Sequence, residues 1–272
     1  MSGRRDHILN AMGLGPIWRL RDRDPEAGDD IAPAPEAEVA APPAVAAVEA
    51  PPSVAPPPVH GAPPPIETAV SAPRVADMSD LASLDWEALT ERILGCRACA
   101  LCEQRTQAVP GVGDRQADWL FVGEGPGAEE DARGEPFVGK AGKLLDAMLA
   151  AIDLKRGEGV YIANTVKCRP PLNRTPEASE LAACFPYLAR QIALIRPKLI
   201  VALGRPAAQS LLNTEIRIAS ARGRCFDYDG IPVVVTYHPA YLLRNPLDKA
   251  KAWEDLCFAR RHMAQLSPGD SR

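Results

Sequence analysis

Apolar residues gather into helical stripes and short runs after about residue 80 of this chain. Trp86, Leu89 and Ile93 recur at helical spacing, with Ser83 placed to cap the helix and Gly95 to stop it. Trp119–Val122 is an apolar run too short for a helix and ends at Gly123, which predicts a buried strand. Ala141, Leu144, Leu145, Met148, Leu149 and Ile152 form the clearest helical stripe. Val160–Ala163 predicts a second strand ending at Asn164, and Leu199–Leu203 a third ending at Gly204. Thr175 and Pro176 suit the N-cap and first position of the next helix, with Pro186 expected to kink it. A short helix over Pro206–Leu212 follows. Asp229-Gly230 between two β-rich runs predicts a hairpin of Cys225–Tyr228 and Ile231–Val235, its second strand leading to His238. Residues 248–265 read as a closing helix. Strands alternating with helices predict an α/β fold with a parallel sheet covered on both faces. Ligands of such sheets bind beyond the carboxyl ends of the strands. Gly125, Asn164 and His238 all fall there, where one pocket can collect them.

The N-terminal third has a different character. Of the chain's 28 prolines, 13 lie between Pro33 and Pro73, among Ala, Val and Glu and without an aromatic residue. Such a segment cannot bury enough apolar surface to offset chain entropy, so residues 25–80 read as a disordered linker. Before it, residues 1–24 carry Ile8, Met12, Leu14, Ile17, Trp18 and Leu20 among Arg and Asp, an amphipathic segment suited to docking on a replication or repair protein. The folded domain is expected over 81–268, enough for one core. The net charge of −4 divides into −6 for residues 1–80 and +2 for the rest. A near-neutral domain argues only weakly for nucleic acid. No run of ~18 apolar residues predicts a membrane span, and no secretory signal is apparent, so a cytoplasmic monomer is expected.

Seven cysteines without a secretory signal suggest a reducing compartment, where CxxC spacing points to metal rather than disulfides. Cys96-x2-Cys99-x2-Cys102 resembles a ferredoxin run, and Cys168 is followed closely by Pro170. Spacing leaves two ligand sets open: Cys96, Cys99, Cys102 and Cys168, or Cys96, Cys99, Cys168 and Cys184, for an iron–sulfur cluster or zinc. Gly123-x-Gly125-x-x-Ala128 formally matches a dinucleotide fingerprint. Glu129-Glu130-Asp131 and a polar loop of about a dozen residues follow it, and those acids would repel a pyrophosphate. His238 ends an apolar strand with Pro239 fixing the backbone after it. The side-chain amide of Asn164 can pair with the imide edge of a pyrimidine.

Four blocks in order carry a resemblance over about residues 86–266: Gly123-Glu124-Gly125-Pro126-Gly127, Phe137–Gly142, Asn164–Pro171 and His238–Pro246. Together they resemble family 4 uracil-DNA glycosylases, the iron–sulfur branch of that superfamily. The resemblance implies a three-layer α/β/α sandwich around a four-stranded parallel sheet. It also implies a [4Fe–4S] cluster on Cys96, Cys99, Cys168 and Cys184, with Cys102 spare. Uracil-containing DNA would be the substrate and base excision the task. Phe137 would stack on the extruded uracil, Asn164 would read its edge, Glu130 would lie in the loop that crowds C5, and Gly125 would line the pocket. His238 would donate to uracil O2. Glu124 is the nominee for activating water, with backbone positioning of the water as its rival. Gly125 also separates the chain from covalently DNA-trapping relatives, which have Gln there. Tyr241, Leu242, Leu243 and Arg244 resemble a wedge loop that fills the gap left by the base. Lys140, Lys167, Arg169 and Arg174 are further phosphate candidates. The competing classes are a lesion binder without turnover and an electron carrier. An intact Phe137, Asn164 and His238 argue against the first, and a large α/β domain against the second.

Overall fold

The structure is a computed structural model that describes residues 80–266. The amphipathic N-terminal segment, nearly all of the proline-rich linker and the last residues lie outside that range. Helix α1 (Trp86–Leu94) is followed by α2 (Leu101–Gln104) and a two-residue strand β1 (Val112–Gly113). Then come β2 (Trp119–Gly123), α3 (Ala128–Arg133), α4 (Lys140–Ala151), β3 (Val160–Asn164) and α5 (Ala178–Ile195). The chain continues through β4 (Leu199–Leu203), α6 (Arg205–Leu212), α7 (Ile218–Ala221), β5 (Cys225–Tyr228) and β6 (Ile231–Thr236). It closes with α8 (Pro239–Arg244) and α9 (Lys249–Leu266).

The sheet order is β1-β3-β2-β4-β6-β5. The four central strands are parallel, as expected, and an antiparallel strand is added at each edge. β1 escapes sequence reading because two residues cannot show a period, whereas β5 is the predicted hairpin partner of β6. Central strands buried on both faces read as continuous apolar runs. Their side chains nevertheless divide by parity. Phe121, Ile162, Val201 and Val234 pack under α4 and α9. Leu120, Val122, Ile200 and Val235 pack under α5 and α6. That makes three layers. Among the described residues no helix is long and apolar enough to cross a membrane.

Local signals are corrected at three points. Asp85, not Ser83, caps α1, its Oδ1 accepting the Ala88 N–H at 2.9 Å. Ser83 ends a 3-10 turn and donates its hydroxyl to the Asp80 carbonyl. Helix α5 starts at Ala178 behind Glu177, which leaves Thr175 and Pro176 free to form pocket wall, and it runs through Pro186 to Ile195. The expected polar loop after the glycine motif contains α3, which starts directly behind Gly127.

Candidate active site

A cavity of about 600 Å³ opens at the carboxyl ends of the parallel strands. Its walls include Glu124, Gly125, Glu130, Phe137, Asn164, His238, Tyr241 and Arg244. Gly123 and Asn164 are register partners at the ends of β2 and β3. A side chain at 123 would meet Asn164 Oδ1 at 2.4 Å and Phe137 Cζ at 2.5 Å, so glycine is what lets both groups reach the cavity. Asn164 is buried, yet its Oδ1 has no partner among the described residues. An unpaired buried acceptor facing a cavity is costly in the empty pocket and suits a ligand donor.

Phe137 is buried at φ 56°, an unfavourable conformation for a bulky residue. Arg156 holds it there, donating to the Pro136 and Phe137 carbonyls at 2.9 and 2.8 Å. No sequence signal links Arg156 to this loop. Glu130 accepts from the backbone N–H groups of Gly127, Val138 and Gly139 at 3.1, 2.9 and 3.1 Å. It therefore ties the start of α3 to the start of α4 and occupies the N–H groups a phosphate would need. Burial lifts the Glu124 carboxyl above its ordinary value, against the pull of Thr175 and Arg205.

His238 lies against Phe137, with ring centroids 5.5 Å apart. Burial lowers its pKa to about 4, with Arg244 adding to the effect and Glu130 opposing it. At neutral pH the imidazole is thus uncharged. Its Nδ1 accepts the Ala240 N–H at 3.1 Å, so Nδ1 carries no hydrogen and Nε2 must. The result is a neutral donor with its tautomer set by backbone.

The wedge-loop residues separate on inspection. Leu242 is fully buried against the α4–α9 core and cannot enter DNA without unfolding α8, which corrects its assignment. Leu243 is exposed. Tyr241 stacks on Tyr237 and donates its hydroxyl to Asp248 at 2.7 Å. Arg244 lines the cavity mouth. Lys140 is exposed at the start of α4. Arg169 binds Asn173 Oδ1, and Arg174 pairs with Glu180 at 2.6 Å. Lys167 is buried, so it is not a phosphate contact.

A second, small cavity is lined by Cys96, Cys99, Cys102, Cys168 and Cys184 together with Lys167 and Tyr187. Among the described residues no three His, Cys, Asp or Glu side chains converge to hold a single ion. Four thiolates on a cluster bind different iron atoms and stand further apart, so the two observations agree. The sulfurs of Cys96, Cys168 and Cys184 accept from Ala98 N–H, Arg105 and Lys167 N–H at 3.4, 2.7 and 3.2 Å. The Leu101 N–H serves Cys99. No hydrogen bond reaches Cys102 sulfur among the described residues. Burial pushes the Cys168 thiol up to about 11 and Cys184 to about 12. A metal that binds these thiols displaces their protons. The donor set fits a thiolate-bound cluster.

Residues 110–257 match the family model described as the uracil DNA glycosylase superfamily. The chain is 46% identical over 166 residues to a type-4 uracil-DNA glycosylase of Archaeoglobus fulgidus, covering 58% of this chain and 83% of that protein. It is 42% identical over 183 residues to the type-4 enzyme of Pyrobaculum aerophilum, covering 64% and 93%. It is 48% identical over 161 residues to that of Thermotoga maritima, covering 58% and 83%. The strand-end pocket and the cysteine cavity thus sit in a chain that belongs to the uracil-DNA glycosylase superfamily and, within it, to the type-4 uracil-DNA glycosylases.

Proposed function

We propose that the chain extrudes uracil from DNA and hydrolyses its N-glycosidic bond, leaving an abasic site. The observation that carries this reading is the convergence of Phe137, the unpaired Asn164 Oδ1 and a neutral His238 donor in one pocket. A base must leave the stack before its glycosidic bond can be reached. Phe137 stacks on the extruded ring, and Asn164 pairs with the imide edge, Oδ1 accepting the N3–H. Glu130, clamped by three N–H groups, holds the backbone beside C5, where a thymine methyl would have to fit. As the C1′–N1 bond breaks, its electron pair moves onto uracil. His238 Nε2–H then donates to the charge developing on O2, a contribution of ~3 kcal/mol. Water adds to C1′ through its hydroxyl, and the remaining proton ends on uracil. Glu124, poised by burial toward holding a proton, receives it from water on the way. Leu243 fills the vacated stack, while Arg244, Lys140, Arg169 and Arg174 supply positive charge along the phosphates, the last two once freed from Asn173 and Glu180.

Cys96, Cys99, Cys168 and Cys184 hold a [4Fe–4S] cluster, supported by a hydrogen-bond donor at each of these four sulfurs. Held by these residues, the cluster would tie together the segment after α1, the segment after β3 and α5. The test is uracil release from a single-uracil oligonucleotide by anaerobically purified protein, with iron and sulfide analysis. Release in catalytic turnover with four irons per chain supports the reading. Tight binding of uracil DNA without release would favour the lesion-binder alternative.

A further inference from the structure

Lys167 lies between the two cavities. Its side chain is fully buried, and a buried ammonium is costly unless its charge is answered. Both of its partners are neutral: Nζ donates to the Asn164 carbonyl at 2.8 Å and to Gln191 Oε1 at 2.7 Å. Among the described residues no carboxylate pairs with it. Gln191 is itself anchored, donating to the Pro110 carbonyl at 2.9 Å. Lys167 also lines the cysteine cavity, where its backbone N–H donates to Cys184 sulfur. The carbonyl it holds belongs to the residue whose amide faces the uracil pocket.

We propose that Lys167 is a positioning residue that couples the two cavities: its backbone N–H holds the Cys184 sulfur and its Nζ, through the Asn164 carbonyl, fixes the amide that reads uracil. This rests on the uracil reading of the pocket and on the cysteine set above. Filling the cysteine cavity does more than cross-link helices. It would steady the segment that brings Lys167 Nζ within hydrogen-bond reach of the strand end that recognises the base.

The test uses the full chain, purified anaerobically, as wild type, Lys167→Met and Lys167→Gln. Binding of free uracil is measured by calorimetry, and the cluster midpoint potential by redox titration. Lys167→Met should bind uracil about tenfold more weakly, the loss of one charge-assisted hydrogen bond. Its cluster should also be harder to reduce, because a nearby positive charge favours the added electron. Lys167→Gln still offers a neutral donor, so it should recover part of the uracil affinity while keeping the lowered potential. A purely structural role would lower the melting temperature without that split. Wild-type affinity and wild-type potential in either variant overturn the proposal. If both variants fail to assemble, the wild type decides, because coupling is reciprocal and saturating uracil must then shift the midpoint potential. An unchanged potential overturns the proposal. Uracil release by wild type is measured alongside. An inactive wild type defeats the glycosylase reading, whereas an active wild type indifferent to Lys167 defeats only the coupling.

Discussion

Replacing Gly123 by Ala should disable uracil removal while leaving the domain folded. The added carbon would stand 2.4 Å from Asn164 Oδ1 and 2.5 Å from Phe137 Cζ, whereas ordinary contact begins at 3.4 Å. The two groups must therefore retreat by about 1 Å, a misplacement that costs on the order of 10²-fold in rate. Both backbones are held, so it is the side chains that must turn away. Asn164 ends β3 in register with Gly123. Phe137 sits in a left-handed backbone conformation clamped by Arg156. Overpacking of this kind costs about 1–3 kcal/mol, which a domain with roughly 5–15 kcal/mol of stability survives. The assay is single-turnover uracil release from a single-uracil oligonucleotide, with a thermal melt of the same preparation. Gly95→Ala is the control, since its added carbon would meet only the Glu91 carbonyl at 3.5 Å at an ordinary φ of −85°. A folded Gly123→Ala protein with near wild-type release would refute the reasoning, because Asn164 and Phe137 would then not need their present positions.

Further expectations concern the other groups. His238→Ala should lose 10²–10³-fold in kcat, the cost of removing one preorganised donor. The lowered His238 pKa of about 4 predicts a ring that stays neutral at pH 6 by nitrogen-detected NMR. Because that pKa lies below the ordinary 6.5, the folded state loses stability as pH falls from about 6.5 to about 4, and His238→Ala should flatten this limb in urea titrations. Leu242→Ala should cost about 2–5 kcal/mol of stability. Leu243→Ala should leave stability nearly unchanged and slow release from duplex more than from single strands, where no stack must be filled. Cys184→Ser should purify without its full iron complement, whereas Cys102→Ser should retain it; equal iron in both would undo the ligand assignment.

The sheet was legible because three of the four parallel strands are short apolar runs with Gly123, Asn164 or Gly204 at or just beyond the end, and the fourth follows a hairpin signal. The site was legible as a set of strand ends, but its internal logic was not. Tyr241-Leu242-Leu243-Arg244 offers two adjacent leucines that composition cannot distinguish, and only packing against α4 and α9 assigns one to the core. Glu130 reads as one of three consecutive acids. Its value lies in three backbone N–H groups, two of them eight and nine residues away, brought near by the turn between α3 and α4. Lys167 reads as a surface cation beside Arg169, and only the burial of the segment after β3 reverses that. The choice between Cys102 and Cys184 was beyond spacing for a concrete reason. Both line the same cavity, and what separates them is the hydrogen-bond donors around each sulfur.

Strand order explains why a nearly neutral domain can build a selective site. Asn164 ends β3 and His238 follows β6, at opposite sides of the parallel set. Three strand spacings separate them, ~14 Å, and both line the same cavity. Between them the loop after β2 supplies Glu124 and Gly125, and β4 ends at Gly204. Its φ is +92°, and a side chain there would press on His238 Cβ at 3.0 Å, so glycine keeps the β6 end of the pocket in place. On the proposed reading, recognition is built from neutral groups fixed by backbone: an amide on a strand end, a ring on a clamped turn and an imidazole with its tautomer set. The exposed positive charges lie at the rim, where phosphates would pass, and the buried Lys167 acts behind the strand end rather than in the pocket. For this reason the +2 balance of residues 81–272 does not argue against DNA, and it predicts that salt should weaken DNA binding while leaving the affinity for free uracil unchanged.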